Sequence, residues 1–386
     1  MAPTDAELLE RYCPVLAYDS QGSFFADSPA IMTDRVSDDG KEVNALKRAN
    51  GRVIAAAKAS RGGSQLGLEF LGASKYASGD TVQPGDFLDF VGKDYVLAGR
   101  EMHRPPYNDV VSGHVAVDSK GGAWLQYWFF YLWNNKAFLG FGLHEGDWEM
   151  VQIGLGSDGK PQTMTFAQHQ HGQRCAWSVV EKQGERPVVF VARGSQASYP
   201  VAGRHDAPLV DDVADGEGGR VSPRVEQLAQ RSPRWVGWPG RWGSTKARWQ
   251  AESDSPVGPR QHSQWKAPLA FHEDAIEYDP RRAALLPPPP APPKPRISAR
   301  REGGHAVVTC RFRRRKPHEP RPAQLVVSVA SPEDDLPPAT YSFPVTGAEF
   351  TVVHPLVLED RRYVVRASAA DDSGHTSDTV QVRLTG

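Results

Sequence analysis

The chain has 386 residues, 39% hydrophobic and 24% charged, which is enough apolar material for a folded core and a length that favours two domains. Its 45 lysines and arginines nearly balance 46 aspartates and glutamates, for a formal net charge of −1, so no global field draws it to nucleic acid or to an anionic membrane. Cys13, Cys175 and Cys310 are too scattered for a zinc site or a disulfide framework and predict reduced thiols.

The opening "MAPTDAELLERY" is charged and lacks the apolar stretch of a secretion signal. No run reaches about 18 apolar residues, so no transmembrane helix is expected. These features predict a cytoplasmic protein, although export by a non-classical route would leave no mark. Thr4 and Glu7 form a capping box ahead of Leu8 and Leu9 and predict a short helix. Strands follow at "AWLQYWFFYLWN", "DWEMVQIGL", "QTMTFAQHQ", "CAWSVVEK" and "RPVVFVARG". A second helix is predicted near residues 223–231, with Ser222 as cap, Pro223 at the first position and Val225, Leu228 and Ala229 as the stripe. The stretch "RWVGWPGRWGSTKARW" sets Trp235, Trp238, Trp242 and Trp249 among Arg234, Arg241 and Arg248. It reads as a loop that covers the sheet with indoles. The alternative is a surface that stacks on sugars, with Trp238 and Trp242 as ligand-binding candidates.

"LLPPPPAPPKPR" marks a boundary: Pro287 to Pro295 should form an extended spacer about 28 Å long. Beyond it, short strands broken by Pro, Gly and Asp recur every ~8–12 residues. The expected fold is mainly β. A large β-sandwich with a few short helices (residues 1–286) precedes the Pro-rich linker (287–295) and a small fibronectin type III or immunoglobulin-like sandwich (296–386). The C-terminal module could bind protein, and "RFRRRK" reads as a charged, solvated edge strand.

The chemistry concentrates in "GLHEGDWEMVQIGL". Residues two apart on a strand share a face, so Asp147 and Glu149 point one way and Trp148 and Met150 the other. Gly146 permits a sharp turn that would bring His144 to the same mouth. "TMTFAQHQHG" adds His169 and His171, and a hairpin turning at "GSDGK" would lay them beside the acids. Two carboxylates and imidazoles converging on one point repel as a bare set, and a divalent cation relieves that repulsion. The oxygen-rich set suits Mg²⁺, Mn²⁺ or Ca²⁺ at least as well as Zn²⁺. His144, Asp147 and Glu149, with His169 or His171, are thus the candidate ligands, and Glu145 or the remaining histidine, His171 if His169 is the ligand, the candidate base. The acidic loop with Asp211, Asp212, Asp215 and Glu217 is a second candidate for Ca²⁺ or simply a solvated loop. "ARGSQASY" lacks the G-x-S-x-G elbow of a serine hydrolase. It reads as a tight turn that offers Arg193, Ser195 and Tyr199 as polar contacts.

In order, "RYCPVLAYD", "LQYWFFYLWN", "HEGDWEMVQI", "FAQH", "RPVVFVARGSQASYP" and "WPGRWGST" resemble the vacuolar protein sorting-associated protein 62-like family across roughly residues 8 to 275. The block is also similar, more distantly, to the necrosis-inducing cytolysins, which carry G-H-R-H-D-W-E on a β-sandwich. That likeness implies a cavity in which His144, Asp147 and Glu149, with His169, hold a divalent cation and dock a sphingolipid headgroup. The chain departs from those exported proteins in having no secretion signal, and it carries Gln196 where many relatives have histidine.

Three functions remain in view: a divalent-cation-dependent module that binds a polar headgroup (lipid or glycan), a metal-dependent hydrolase of a phosphoester or glycan, and a structural or sorting adaptor without catalysis.

Overall fold

The computed structural model describes residues 3–34, 44–57, 66–90, 95–135, 143–169, 171–206, 211–229, 232–244, 255–279, 292–313, 321–332, 338–355, 361–371 and 376–384. They fall into two compact units, one of Met1–His205 and Ala214–Asp279, the other of Asp206–Val213 and Pro280–Gly386. Most of the expected Pro-rich spacer, residues 287–291, lies outside the described residues, as does the run from residue 314 to 320.

In chain order, helix α1 (Asp5–Arg11) leads to β1 (Val15–Tyr18), β2 (Ala45–Lys47), β3 (Val53–Ala56), helix α2 (Leu68–Leu71), β4 (Phe87–Asp89) and helix α3 (Tyr95–Met102). Then come β5 (Val110–Val117), β6 (Ala123–Asn134), β7 (His144–Leu155), β8 (Pro161–Gln168) and β9 (His171–Ala176). Shorter strands follow: β10 (Lys182–Gln183), β11 (Arg186–Val191), β12 (Ser198–Tyr199), β13 (Gly203–His205), β14 (Asp212–Ala214), β15 (Arg220–Val221) and β16 (Arg224–Leu228). Two 3₁₀ turns (Arg234–Gly237, Pro259–Gln261), helices α4 (Ser263–Lys266) and α5 (Pro268–Asp274), and β17 (Ile276–Glu277) close this unit. The expected capping box starts α1: Thr4 N–H donates to Glu7 Oε2 at 2.7 Å, and Glu7 N–H returns to Thr4 Oγ1 at 3.3 Å.

The main sheet has seven strands in the order β16-β5-β6-β7-β8-β9-β17. A second sheet runs β10-β11-β1-β15 with β12 paired to β11, and a small one runs β3-β2-β4. Strand β6 is apolar without alternation because both its faces are covered. Leu125, Tyr127, Phe129 and Tyr131 share a core with Leu16, Tyr18, Val189 and Val191 of the second sheet. On the other face, Trp128, Phe130 and Trp148 meet Trp235, Trp242 and Trp265. The glutamines Gln126 and Gln152, fully buried on that face, donate to the carbonyls of Gln264 and Pro268 at 2.7 Å each. Buried amides with nowhere else to turn thus fasten α4 and α5 to the sheet.

Two expectations are corrected here. Residues 224–228 form strand β16, which pairs in parallel with β5, Arg224 opposite Val110 and Leu228 opposite His114. Docking on an open sheet edge overrides a local helical pattern. Gly113 of β5 leaves the room: a Cβ there would lie 2.7 Å from Val225 Cγ1. Trp238 and Trp242 are not stacking surfaces either. They are 1% and 0% exposed, and the Trp238 indole donates to the Tyr76 hydroxyl at 2.9 Å.

The smaller unit holds β18 (Arg296–Glu302), β19 (His305–Arg311), β20 (Pro322–Ala330), β21 (Ala339–Pro344), β22 (Glu349–His354), β23 (Val364–Asp371) and β24 (Val380–Arg383). They form sheets β18-β19-β22 and β21-β20-β23-β24, the three-plus-four layout of a fibronectin type III-like sandwich. Val308 and Cys310 of one sheet and Leu325, Val327 and Val365 of the other share its core.

Candidate functional site

The HxGDWE block begins β7. In the antiparallel register with β6, Asn134 faces His144, Trp133 faces Glu145, Tyr131 faces Asp147 and Phe129 faces Glu149. Asp147 and Glu149 therefore lie on the face that meets the second sheet, and Trp148 on the face under the tryptophan cover. Gly146 does not turn the chain back, as had been expected; β7 runs through it. Its φ is +63°, and a Cβ would sit 1.9 Å from the Trp242 carbonyl oxygen. Glycine is required for this close approach of two backbones. His144 reaches the mouth as the first residue of β7, with Nδ1 2.7 Å from the Gly146 carbonyl.

Glu145 is not a general base. It is fully buried, and its carboxylate accepts from Phe90 N–H (3.1 Å), Tyr95 O–H (2.6 Å), Ser244 N–H (2.8 Å) and Ser244 O–H (2.8 Å). Four donors hold it as a bolt between three distant segments.

Asp147 is different. It is 7% exposed and accepts from Asn134 Nδ2 at 3.0 Å. Burial pushes its carboxyl up from the usual carboxylate range, against the opposing fields of His144 and His169 and the hydrogen bonds of Asn134 and Trp148 N–H. Glu149, 9% exposed, stands two residues along. On the facing strand, opposite Asp147, the Tyr131 hydroxyl is buried without a partner among the described residues, and burial together with the fields of Tyr18, Glu149 and Asp147 raises it far above the normal phenol range.

The hairpin forms as expected, with Val151 opposite Phe166 and the turn closed by Gly156 N–H to Lys160 O at 2.8 Å. The imidazoles part company, however. Strand β8 ends at Gln168; His169 occupies the following turn with φ +54°, and His171 opens β9 opposite Gln168. His169 is exposed yet its charge reaches Asp147. His171 is exposed one strand farther out, away from the role of base suggested for it. Among the described residues no three His, Cys, Asp or Glu side chains are disposed to hold a metal ion together. Carboxylate oxygens of this kind suit an oxygen-preferring cation in chemistry, but the described residues make no closed cage for one.

The segment after β11 walls this end. Asn135 N–H donates to Gly194 O at 3.1 Å, and Gln168 Nε2 to Ser198 O at 3.2 Å. The expected tight turn is present: Gln196 N–H bonds to Ala192 O, Ala197 N–H to Ser195 Oγ at 3.5 Å, and Gln196 has φ +55°. Arg193 donates to Gln21 and lies 4.0 Å from Asp19, while the Tyr199 ring stacks on His205 at 3.7 Å. One Arg193 guanidinium nitrogen, Gln196 Oε1 and Ser198 Oγ are buried without partners among the described residues. Buried polar atoms without a protein partner call for ordered water or another polar group to satisfy them.

The acidic loop does not gather. Asp215 accepts from Ser20 N–H (2.7 Å), Ser20 O–H (2.5 Å) and Glu217 N–H (2.9 Å), which closes a turn. Among the described residues the loop forms no group of three His, Cys, Asp or Glu side chains able to hold a metal ion. Reading the chain without its fold overlooked Asn134, Gln168 and Tyr131. Asn134 had a signal, since it ends the strand antiparallel to β7; Gln168 and Tyr131 had none.

No protein-family model matches the chain. Two proteins of Saccharomyces cerevisiae are similar to it. The putative vacuolar protein sorting-associated protein TDA6 is 28% identical over 203 residues, 40% of this chain and 43% of that protein. Vacuolar protein sorting-associated protein 62 is 25% identical over 220 residues, 45% of each. The chain thus spans less than half the length of these curated relatives. Among solved structures, a Fn3-like protein from Clostridium thermocellum aligns with 25% of the chain (93% of its own) at 21% identity and a TM-score of 0.19. NLPPya in complex with glucosamine aligns with 44% (69% of its own) at 11% identity and a TM-score of 0.28. Over about two-fifths of its length the chain is thus similar in sequence to these two yeast proteins, of which one is vacuolar protein sorting-associated protein 62.

Proposed function

We propose that the larger unit is a divalent-cation-dependent binding module that recognises a polar headgroup, lipid or glycan, at the mouth of β7. Asp147 carries this reading. A buried carboxylate next to a second acid, whose raised value two imidazole fields, an amide and the Trp148 N–H do not offset, gains from a cation. The open donor set favours an ion shared with the ligand, so that ion and headgroup strengthen each other's binding. Mg²⁺, Ca²⁺ and Mn²⁺ suit the oxygen donors, and Zn²⁺ could use His144. Binding without turnover is favoured because Glu145 is consumed by hydrogen bonds and His171 points outward from the next strand, which leaves neither suggested base beside the acids.

Calorimetric titration of the full chain with each ion, alone and with glycolipid vesicles or a monosaccharide panel, tests the proposal. The expected result is saturable binding of at least one ion, tightened by a headgroup and lost in Asp147→Asn. No ion binding under any condition would leave the adaptor reading. Turnover of a generic phosphodiester that Asp147→Asn abolishes would favour the hydrolase.

A further inference from the structure

On the opposite side of the main sheet, the cover forms an open cavity of about 800 Å³. Its walls are residues 71–74 and Val82, the 3₁₀ turn that carries Arg234, Gly237 and Trp238 with Pro239, and Arg260 of the second 3₁₀ turn. The volume falls within the roughly 300–1,000 Å³ of small-ligand sites. Two arginines face this space, and no acidic side chain is among the described residues that line it. Neither guanidinium has an ion pair or hydrogen bond among the described residues. Two guanidiniums without a carboxylate partner among the described residues therefore share one cavity.

The walls are also fixed. Trp238 donates its indole N–H to the Tyr76 hydroxyl at 2.9 Å, Tyr76 donates to Asp86 at 2.8 Å, and Arg48 grips both oxygens of Asp86 at 2.8 and 3.0 Å. Tyr76 stacks on Phe70 of α2 with centroids 5.3 Å apart. Gly72 abuts the base of Arg234: a Cβ there would lie 2.4 Å from Arg234 Cβ. Arg260 Nη1 lies 3.0 Å from where a Gly237 Cβ would be, so the lack of a side chain at 237 admits the guanidinium. Held walls reduce the ordering cost of binding.

We propose that this cavity binds a phosphomonoester. A terminal phosphate offers three acceptor oxygens and close to two negative charges, matched to two guanidinium forks and the Ser74 hydroxyl. Val82 and Pro239, both part-exposed, supply an apolar wall for the carbon body of the ester, backed from behind by the buried Leu71 and Trp238. This site stands apart from the β7 mouth and does not depend on the reading given to it.

The test uses the full chain, titrated calorimetrically with inorganic phosphate, glycerol 3-phosphate and phenyl phosphate. Vesicles of phosphatidylcholine with and without phosphatidic acid form a second arm. All three soluble probes are expected to bind saturably, phenyl phosphate most tightly because of the apolar wall. Arg234→Gln and Arg260→Gln should each weaken phenyl phosphate about tenfold or more, the double variant should abolish binding, and Asp147→Asn should leave it unchanged. Capture by phosphatidic acid vesicles that needs both arginines identifies a lipid source, and binding of soluble esters alone identifies a soluble one; either upholds the site. The absence of saturable binding by any phosphate probe overturns it, as does a folded double variant that binds as the parent does. If the glutamine variants fail to fold, the same loss must appear in Arg234→Lys and Arg260→Lys, which keep the charge but not the fork; unchanged binding there overturns the proposal.

Discussion

Glu145 and Asp147 sit two residues apart and have opposite roles. Glu145 accepts from donors 50, 55 and 99 positions away in the chain, so nothing local could mark it as a bolt. Its removal strands three buried donors. Glu145→Ala is expected to lower stability by about 3–5 kcal/mol in denaturant unfolding, and a loss below about 1 kcal/mol would contradict the assignment. The placement of Asp147 and Glu149 was legible because a strand's period of two admits only one shared face. Burial raises the folded-state value of Asp147 above its unfolded one. The ionised group therefore costs stability at neutral pH, and the cost is relieved as pH falls through that raised value. In cation-free buffer, Asp147→Asn should unfold at pH 7 no lower than the parent and should lose this part of the gain on mild acidification; a marked fall in its midpoint would show that the charge is satisfied as it stands.

The elements show where local pattern suffices and where it fails. Helix α1 was legible from its cap, and β6 and β7 from apolar content and period. Strand β16 was not, because a stripe at helical spacing also fits an edge that β5 leaves open. Three imidazoles, His114 on β5 and His262 and His272 in the cover, are held by burial below their usual value. His114 is lowered to about 4 and stacks on Trp265 at 3.6 Å; His262 lies against Trp128, and His272 shares a 2.8 Å hydrogen bond with Thr165. Their folded values lie below the 6.5 of a free histidine, so the unfolded chain takes up protons first and stability falls as pH drops from 6.5 towards 4. His114→Phe keeps a ring on Trp265 and should flatten that slope in unfolding measured across this window. A slope unchanged from the parent would mean that His114 is not the titrating group. Gly146→Ala brings a Cβ onto the Trp242 carbonyl at a left-handed φ, and a loss of more than about 2 kcal/mol is expected in denaturant unfolding.

At the scale of the whole molecule, the mainly β character was legible in strand spacing and composition, and the described residues fall into two compact units. The core of the smaller unit is drawn from residues between Ala299 and Ala367. A fragment of residues 292–386 should therefore unfold cooperatively on its own, as followed by circular dichroism, and a fragment without a transition would contradict that independence. Cys13, Cys175 and Cys310 are buried free thiols, raised by burial to about 11, 12 and 11, and should resist a thiol reagent until the chain unfolds. No helix among the described residues is long and apolar enough to cross a membrane. In the candidate site, a strand pattern shows which residues share a face, but not how far an imidazole in a turn stands from them. The most direct measurement is the thermal midpoint of the full chain against divalent-cation concentration, for the parent and for Asp147→Asn. A bound ion should stabilise the parent by about 2.7 kcal/mol at a hundredfold excess over Kd, raising its midpoint by several degrees while the variant stays flat. Equal responses in both chains, or none in either, would contradict the account.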